Sequence, residues 1–196
     1  RSVSRGLGDV YKRQRVEGFE KIEKPFNAHF DLAISNIPFG DVAVFDPEYT
    51  NSKSFGRRNA SKTIHNYFFL KALDSVRDGG IVAFITSQGV LNSNNSGMTR
   101  HLMLKHADLV SAIRLPNNLF TENANTEVGS DLIILQKNSQ KKELSEEDVL
   151  FTKTAVRGGI STNEYVFEHR DQRIVHTKWK HDSDPYGHPA VVYLHE

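Results

Sequence analysis

The chain alternates short apolar runs with stretches in which apolar residues recur at helical spacing. Four of the runs have the length and composition of β-strands: Phe30–Ile34, Ile81–Ile85, Leu109–Ile113 and Leu132–Leu135. Continuous apolar runs are typical of strands that are buried on both faces of a parallel sheet. The pattern therefore predicts four strands, and we expect the first, second and fourth of them to be buried.

Two helices are predicted between these strands. The first begins after a cap at Ser61 or Thr63 and runs to about Arg77, and the second covers Met98–Lys105. We expect Asp78-Gly79-Gly80 to end the first helix, because glycine readily adopts the left-handed conformation of a helix C-terminus. Four positions at i, i+3, i+4 and i+7 form the buried face of that helix. These positions are Phe69, Ala72, Leu73 and Val76.

The alternation of strands and helices predicts an α/β sheet with right-handed crossovers. The polar and basic stretch Asn51–Lys62 is expected to be a loop. Lys137–Asp148 is charged and is expected to be a solvated linker or an exposed loop. Periodicity is weaker over Val149–Glu196, which we interpret as an extension or as the start of another module.

Composition excludes several classes of protein. The 196 residues are 38% hydrophobic and 25% charged, which is ordinary for a water-soluble domain. No apolar run approaches the ~20 residues that span a bilayer, so no membrane association is expected. The absence of cysteine excludes disulfides and thiolate metal sites, and it suits a reducing cytoplasm. Because the net charge is only +1, any nucleic-acid surface must be local.

The segment after the first strand carries the chemistry. Ligands of open α/β sheets bind beyond the carboxyl ends of the strands. There the sequence DLAISNIPFGD, residues 31–41, resembles motif IV of the amino-methyltransferases, whose usual form is Asn/Asp/Ser-Pro-Pro-Tyr/Phe. The chain departs from that form at one position, where Ile37 replaces the first proline.

The resemblance implies a role for each of the four residues in this motif. An exocyclic amine is a poor nucleophile because its lone pair is delocalised, and two acceptors aimed at its hydrogens stabilise the charge that develops on attack. Asn36 would supply a side-chain oxygen and Ile37 its main-chain carbonyl. Pro38 would stiffen the loop, and Phe39 would stack on the base. Asn36 and Pro38 would also contact the cofactor.

The resemblance extends over most of the chain, from about Val16 to Lys137. Downstream segments are similar to type I-like N6-adenine DNA methyltransferases and to the methylase–helicase polypeptides of bacterial mobile elements and phages. This resemblance implies a Rossmann-like class I methyltransferase sheet, with S-adenosyl-L-methionine as methyl donor and adenine in DNA as acceptor. It also implies a bacterial cytoplasmic location. The segments are His65–Phe69, Gly79–Thr86, Arg114–Pro116, Phe120 and Ser130–Lys137.

A part of that fold is expected to be missing. No Gly-x-Gly lies between a strand and a helix, and Gly6-Leu7-Gly8 belongs to the tail Arg1–Gln14. That tail resembles a translated sequencing adapter, with a flexible N-terminal arm as the alternative. We therefore expect residues 15–140 to be the C-terminal half of a catalytic domain and residues 141–196 to be a linker and extension. The first strands and the cofactor loop would lie upstream in the same polypeptide, with a helicase region as a further possible partner, and the fragment alone would be inactive.

A basic stretch follows the motif and contains no acidic residue. Lys53, Arg57, Arg58 and Lys62 either contact DNA phosphates or form a solvated loop. His65 either helps to position the base or packs and caps its helix. Phe120 follows a strand, so it either reaches the target or packs in the core. No metal site is expected, because the histidines of the C-terminal part are not grouped with carboxylates.

Two other functions fit the same residues. The motif serves planar amines generally, so methylation of an RNA base or of a glutamine amide is an alternative. A non-catalytic methyltransferase-like module that binds DNA or a protein partner is another. Ile37 favours this module, whereas the intact Asn36 and Phe39 favour catalysis.

Overall fold

The computed structural model describes residues 17–40, 42–121, 128–184 and 187–196. The expectations for Arg1–Gln14 and for most of the loop before Ser130 fall outside these ranges. The bounds of the sheet strands are β1 Phe30–Asn36, β2 Val76–Ser87, β3 Ala107–Leu115 and β4 Ser130–Lys137.

The four strands form one sheet in the order β1-β2-β4-β3. Strands β1 and β2 are parallel, whereas β4 is antiparallel to both β2 and β3. The predicted α/β class and all four strand positions are confirmed. The sheet is mixed, however, and not wholly parallel, because β4 inserts between two strands that precede it in the sequence.

Helices connect the strands and flank the sheet. The helices between β1 and β3 are α1 Pro47–Thr50, α2 Phe55–Ala60, α3 Ile64–Ser75, α4 Gly89–Asn92 and α5 Gly97–Lys105. After β4 come α6 Glu146–Thr152, the hairpin β5 Thr154–Arg157 and β6 Ile160–Asn163, the helices α7 Glu164–Glu168 and α8 Arg170–Arg173, and the hairpin β7 Lys178–Ser183 and β8 Pro189–Leu194. None of the described helices combines the length and the apolar character needed to cross a bilayer.

Helix α3 has the predicted buried face, but it ends earlier than expected. Its C-cap is Val76, which is already extended with a ψ of 147°, so β2 begins where the glycines were expected to end the helix. Gly79 has a φ of 75° and lies within β2 before the regular pairing with β4 begins at Ile81. The prediction that Gly79-Gly80 caps the helix was therefore wrong.

The stretch Asn51–Lys62 is not simply a loop, because it contains α2. Ser54 caps this helix by accepting a hydrogen bond from the Arg57 amide at 3.4 Å. Gly56 and Ala60 are its buried residues, and a Cβ on Gly56 would lie 2.5 Å from the Leu102 side chain. The helix was missed because small residues, and not large apolar ones, form its packed face.

Strand β1 is also less buried than predicted. Phe30, Leu32 and Ile34 are 39%, 52% and 74% exposed, whereas Ala33 packs against the core. In the part of the chain that the structure describes, β1 is an edge strand with β2 as its single neighbour. One face of β1 is therefore apolar and uncovered.

The region after β4 packs on the sheet domain. Lys137–Asp148 was predicted to be a solvated linker or exposed loop, but Asp148 is buried and starts α6 through a capping box with Ser145. Lys141 Nζ lies 2.6 Å from the Asp148 carboxylate. Phe151 and Tyr165, from α6 and α7, belong to the same apolar core as the sheet. The Lys141–Asp148 ion pair and the packing of Phe151 therefore hold the end of the charged stretch against the sheet domain.

Candidate functional site

The loop after β1 is anchored by Ile37. Its N–H donates a hydrogen bond to the Ile85 carbonyl at 2.9 Å, and its side chain is fully buried. Asn36 and Pro38, on either side of it, are exposed. Among the described residues, the Asn36 carboxamide has no hydrogen-bond partner. The buried isoleucine thus fixes the loop and leaves a free amide at the carboxyl end of β1.

Phe39 lies at the surface next to two other rings. It is 41% exposed, and its centroid lies 6.1 Å from that of His65 and 6.4 Å from that of Phe120. The Phe39 and Phe120 rings are inclined at 62°. The loop after β3 therefore brings Phe120 to the same end of the sheet as the loop after β1. An accessible aromatic face thus follows the exposed Asn36 by three residues.

His65 connects this cluster to the end of β2. Its ring nitrogen Nδ1 is 2.8 Å from the Thr86 hydroxyl, and both side chains are buried. Thr86 follows Ile85, which pairs with Asn36 in the sheet. The predicted helix-packing role of His65 fits this position, and its ring also supports Phe39.

The chain that leaves the loop is held by a buried carboxylate. Asp46 caps α1 by accepting the Glu48 amide at 2.9 Å. It also accepts the Tyr67 hydroxyl at 2.7 Å and the Lys71 ammonium at 3.1 Å. Burial by itself raises the pKa of Asp46, but the hydrogen bonds from Tyr67, Glu48 and Lys71 outweigh it and hold the pKa below its usual value. The ion pair joins the segment after the motif to α3.

A second ion pair links α2 to α3. Arg57 donates to both Asp74 carboxylate oxygens, at 2.6 and 2.7 Å, and its guanidinium lies 5.0 Å from the Tyr49 ring centroid. The Tyr49 hydroxyl donates to the same carboxylate at 2.5 Å. Arg57 is thus engaged within the fold, and a DNA contact by it stays a prediction.

The other predicted DNA contacts lie in different surroundings. Lys53 and Lys62 are exposed. Arg58 is half-buried, donates to the Ser52 carbonyl and lies 5.8 Å from the Phe55 ring centroid. Only part of the basic stretch is therefore available to an anionic ligand.

A comparison with protein families assigns the chain. The model of the family described as N-6 DNA Methylase matches residues 5–196, nearly the whole sequence. The chain belongs to the N-6 DNA methylase family. This result confirms the resemblance that the motif at Asn36 and the downstream segments indicated.

Individual relatives of this N-6 DNA methylase chain are distant. It is 25% identical over 155 residues to Defense against restriction protein B of Escherichia phage P1, a match that covers 76% of this chain. The chain spans 6% of the length of that curated relative.

Two solved structures are similar to the methylase chain. A modification subunit of a putative type I restriction enzyme from Vibrio vulnificus is 15% identical and has a TM-score of 0.48. The match covers 90% of this chain and 39% of that one. A putative class I S-adenosylmethionine-dependent methyltransferase from Listeria monocytogenes is 20% identical and has a TM-score of 0.46. The match covers 59% of this chain and 34% of that one.

Sequence reasoning on the methylase missed the buried network behind the loop. Asp46, Tyr67 and Lys71 were not among the candidate residues, because each looks like an ordinary surface or core residue in its local segment. Asp46 followed by Pro47 is a helix N-cap signal, and it was the one local cue. No group of three or more potential metal ligands occurs among residues 17–40, 42–121, 128–184 and 187–196.

Proposed function

We propose that this chain carries the catalytic loop of an enzyme that methylates the exocyclic N6 amine of adenine in DNA. The supporting observation is that Asn36, at the carboxyl end of β1, and the ring of Phe39, three residues later, are both exposed. A planar base with an amino group requires these two elements, an acceptor for the amine hydrogens and a flat apolar face. Family membership agrees with this assignment.

Each residue of the loop has its own role in the proposed reaction. When bound, S-adenosyl-L-methionine supplies an electrophilic methyl group on a sulfonium centre. Asn36 Oδ1 and the Ile37 carbonyl accept the two amine hydrogens, which directs the nitrogen lone pair towards the methyl carbon. With both hydrogens held in this way, the amine would be positioned to accept the methyl group and to lose one proton after the transfer. The target base must leave the duplex stack to reach this position.

Two rings are available to hold the extruded base. The ring centroids of Phe39 and Phe120 lie 6.4 Å apart at an inclined angle, and the ring of His65 lies 6.1 Å from that of Phe39. We propose that Phe39 stacks on the adenine and that Phe120 contacts it from the loop after β3. The position of Phe120 beside the motif supports this role over simple core packing.

The cofactor site is proposed to be shared with an upstream segment of the same polypeptide. Asn36 and Pro38 would form one wall of it, and the glycine-rich loop would come from upstream. The uncovered apolar face at Phe30, Leu32 and Ile34 is the kind of surface that a further layer of structure buries. The chain alone should bind S-adenosylmethionine weakly and should not turn over. Tight binding by the isolated chain, measured by calorimetry, would contradict this division.

DNA and the assembly also belong to the proposal. Exposed cations at Lys53 and Lys62, with Arg58, would contact phosphates next to the catalytic loop. The phage relative is named for defense against restriction. We propose that this chain acts in the same context, in a bacterial cytoplasm, within a larger polypeptide that includes a helicase region.

The acceptor can be identified with the intact gene product. Labelled methyl donor is supplied with duplex DNA, RNA and protein acceptors, and the product is analysed by mass spectrometry. The proposal expects N6-methyladenine in DNA. Label in RNA or in a glutamine side chain would replace it with one of the other amine acceptors, and DNA binding without any transfer would favour a non-catalytic module.

A further inference from the structure

A second concave surface lies beside the catalytic loop. We call it the aromatic groove, and it has a volume of about 520 Å³. The segment after the motif and Thr50 of α1 form one wall, and α2 with the turn that follows it forms the other. The two walls are tied together by a hydrogen bond from the Val44 amide to the Ser61 carbonyl at 2.8 Å. The residues that matter for its chemistry are Phe45, Phe55, Arg58 and Lys62.

Two phenylalanine rings of this groove face solvent. Phe45 is 76% exposed and Phe55 is 60% exposed. Neither ring is needed to fill the core, and large apolar side chains gain nothing from such exposure. Both rings are therefore available to a ligand.

The charges of the aromatic groove specify the kind of ligand. Arg58 and Lys62 line it, and none of its described lining residues is acidic. The Arg58 guanidinium lies 5.8 Å from the Phe55 ring centroid, so a cation sits directly beside a stacking face. Flat apolar rings interleaved with cations match planar bases on an anionic backbone, which is how single strands are bound without sequence preference.

The position of the groove fits the same ligand. Lys62 lies in the turn before α3, three residues before His65, whose ring lies next to that of Phe39 in the catalytic loop. The groove and the catalytic loop are therefore neighbours around the start of α3. Phe45 also lies on the segment that leaves the catalytic loop, six residues after Phe39.

We infer that the aromatic groove binds unpaired nucleotides of DNA by stacking on Phe45 and Phe55, with their phosphates at Arg58 and Lys62. The inference rests on the proposed function, because it takes DNA as the ligand. It adds a second base-binding surface, separate from the pocket at Phe39. Its purpose is to hold the strand that is locally melted when the target base leaves the stack.

Binding of a labelled single strand of about 12 nucleotides, measured by fluorescence anisotropy, tests the inference. The variants are Phe45→Ala, Phe55→Ala, and Phe45→Leu, which retains apolar bulk without a ring. Each should weaken binding of the single strand about tenfold and leave binding of an abasic strand of equal length within twofold. Trp179→Ala is the matched control, because Trp179 is 58% exposed and stands between Lys178 and Lys180 outside the groove. It should change neither affinity.

Each other outcome would overturn the inference. An unmodified chain that does not bind the strand excludes it. So does full affinity in Phe45→Leu, or equal losses for the normal and abasic strands. If the groove variants instead convert a dimer to a monomer in sedimentation while DNA affinity stays constant, the groove binds a second copy of the chain. The methyl-transfer assay is independent of these readouts: failed transfer with ring-dependent binding would refute the proposed function and leave the groove assignment standing.

Discussion

The ammonium of Lys71 lies 3.1 Å from the carboxylate of Asp46, and both side chains are only about 1% exposed. Lys71 belongs to α3, whereas Asp46 lies on the segment that leaves the catalytic loop. A buried ion pair does not favour folding strongly by itself, but removal of one partner leaves an uncompensated charge. We conclude that the pair fixes where the chain goes after Phe39.

Loss of the Lys71 charge is expected to destabilise the chain. Lys71→Met leaves the Asp46 carboxylate buried with only its hydrogen bonds from Tyr67 and the Glu48 amide, and we expect a loss of about 3–5 kcal/mol. The loss can be measured by urea unfolding of the purified chain. The double variant Asp46→Asn/Lys71→Met should lose less than the sum of the single variants. Additive losses would show that the two groups do not interact.

Asp46 should also make the stability depend on pH. Its pKa is below the usual 3.8 in the folded chain, because hydrogen bonds and Lys71 outweigh the effect of burial. The folded state therefore binds this proton less readily than the unfolded state, and the stabilisation is complete above the unfolded pKa. It should disappear as pH falls through the lower folded value.

The unfolding free energies of the wild-type chain and Asp46→Asn test this dependence. Their difference should be constant near neutral pH and should shrink below about pH 4. A difference that grows in acid would mean that the folded pKa is raised and that the sign assigned to Asp46 is wrong.

Arg57 and Lys62 should have different roles: Arg57 should stabilise the fold, and Lys62 should contact DNA. Arg57→Gln breaks a bidentate pair with Asp74 and should reduce stability by about 1–3 kcal/mol. Lys62→Gln should leave stability within about 0.5 kcal/mol, because this side chain is exposed. In DNA titrations, Lys62→Gln should lower the slope of log affinity against log salt by about 0.7–0.9. A normal slope in Lys62→Gln would remove Lys62 from the interface.

Phe39 should act through its flat face. In the intact enzyme, Phe39→Tyr retains an aromatic ring and should keep near-normal transfer, whereas Phe39→Leu should raise the KM for DNA about tenfold. Steady-state kinetics with saturating cofactor give both constants. Equal kinetics for the tyrosine and leucine variants would show that no base stacks at this position.

The sequence predicted the four strands because they depend on local patterns, whereas the catalytic role of Asn36–Phe39 stays a prediction. Apolar runs mark the strands, and the motif Asn36–Phe39 directly follows one of them. The exposure of Ile34 was not predictable in this way, because burial depends on which elements lie against a strand. Helix α2 was missed for a similar reason: Gly56 packs against Leu102, and a glycine gives no apolar signal.

Local sequence patterns could not predict the buried network of Asp46, Tyr67 and Lys71. Asp46 and Lys71 are separated by 25 residues, and neither residue type is normally buried. Their pairing exists only because the chain after Phe39 turns back onto α3. The proximity of Phe39 and Phe120 likewise depends on the sheet order, which places the loops after β1 and β3 at one end.

We propose above that the Asn36 carboxamide accepts a hydrogen of the target amine during methyl transfer. Single-turnover methylation of duplex DNA by the intact enzyme and by Asn36→Ala tests it most directly, with DNA affinity measured in parallel. We expect a transfer rate at least about 100-fold lower in Asn36→Ala, with DNA affinity within a few-fold of normal. A transfer rate that is unchanged in Asn36→Ala would contradict it.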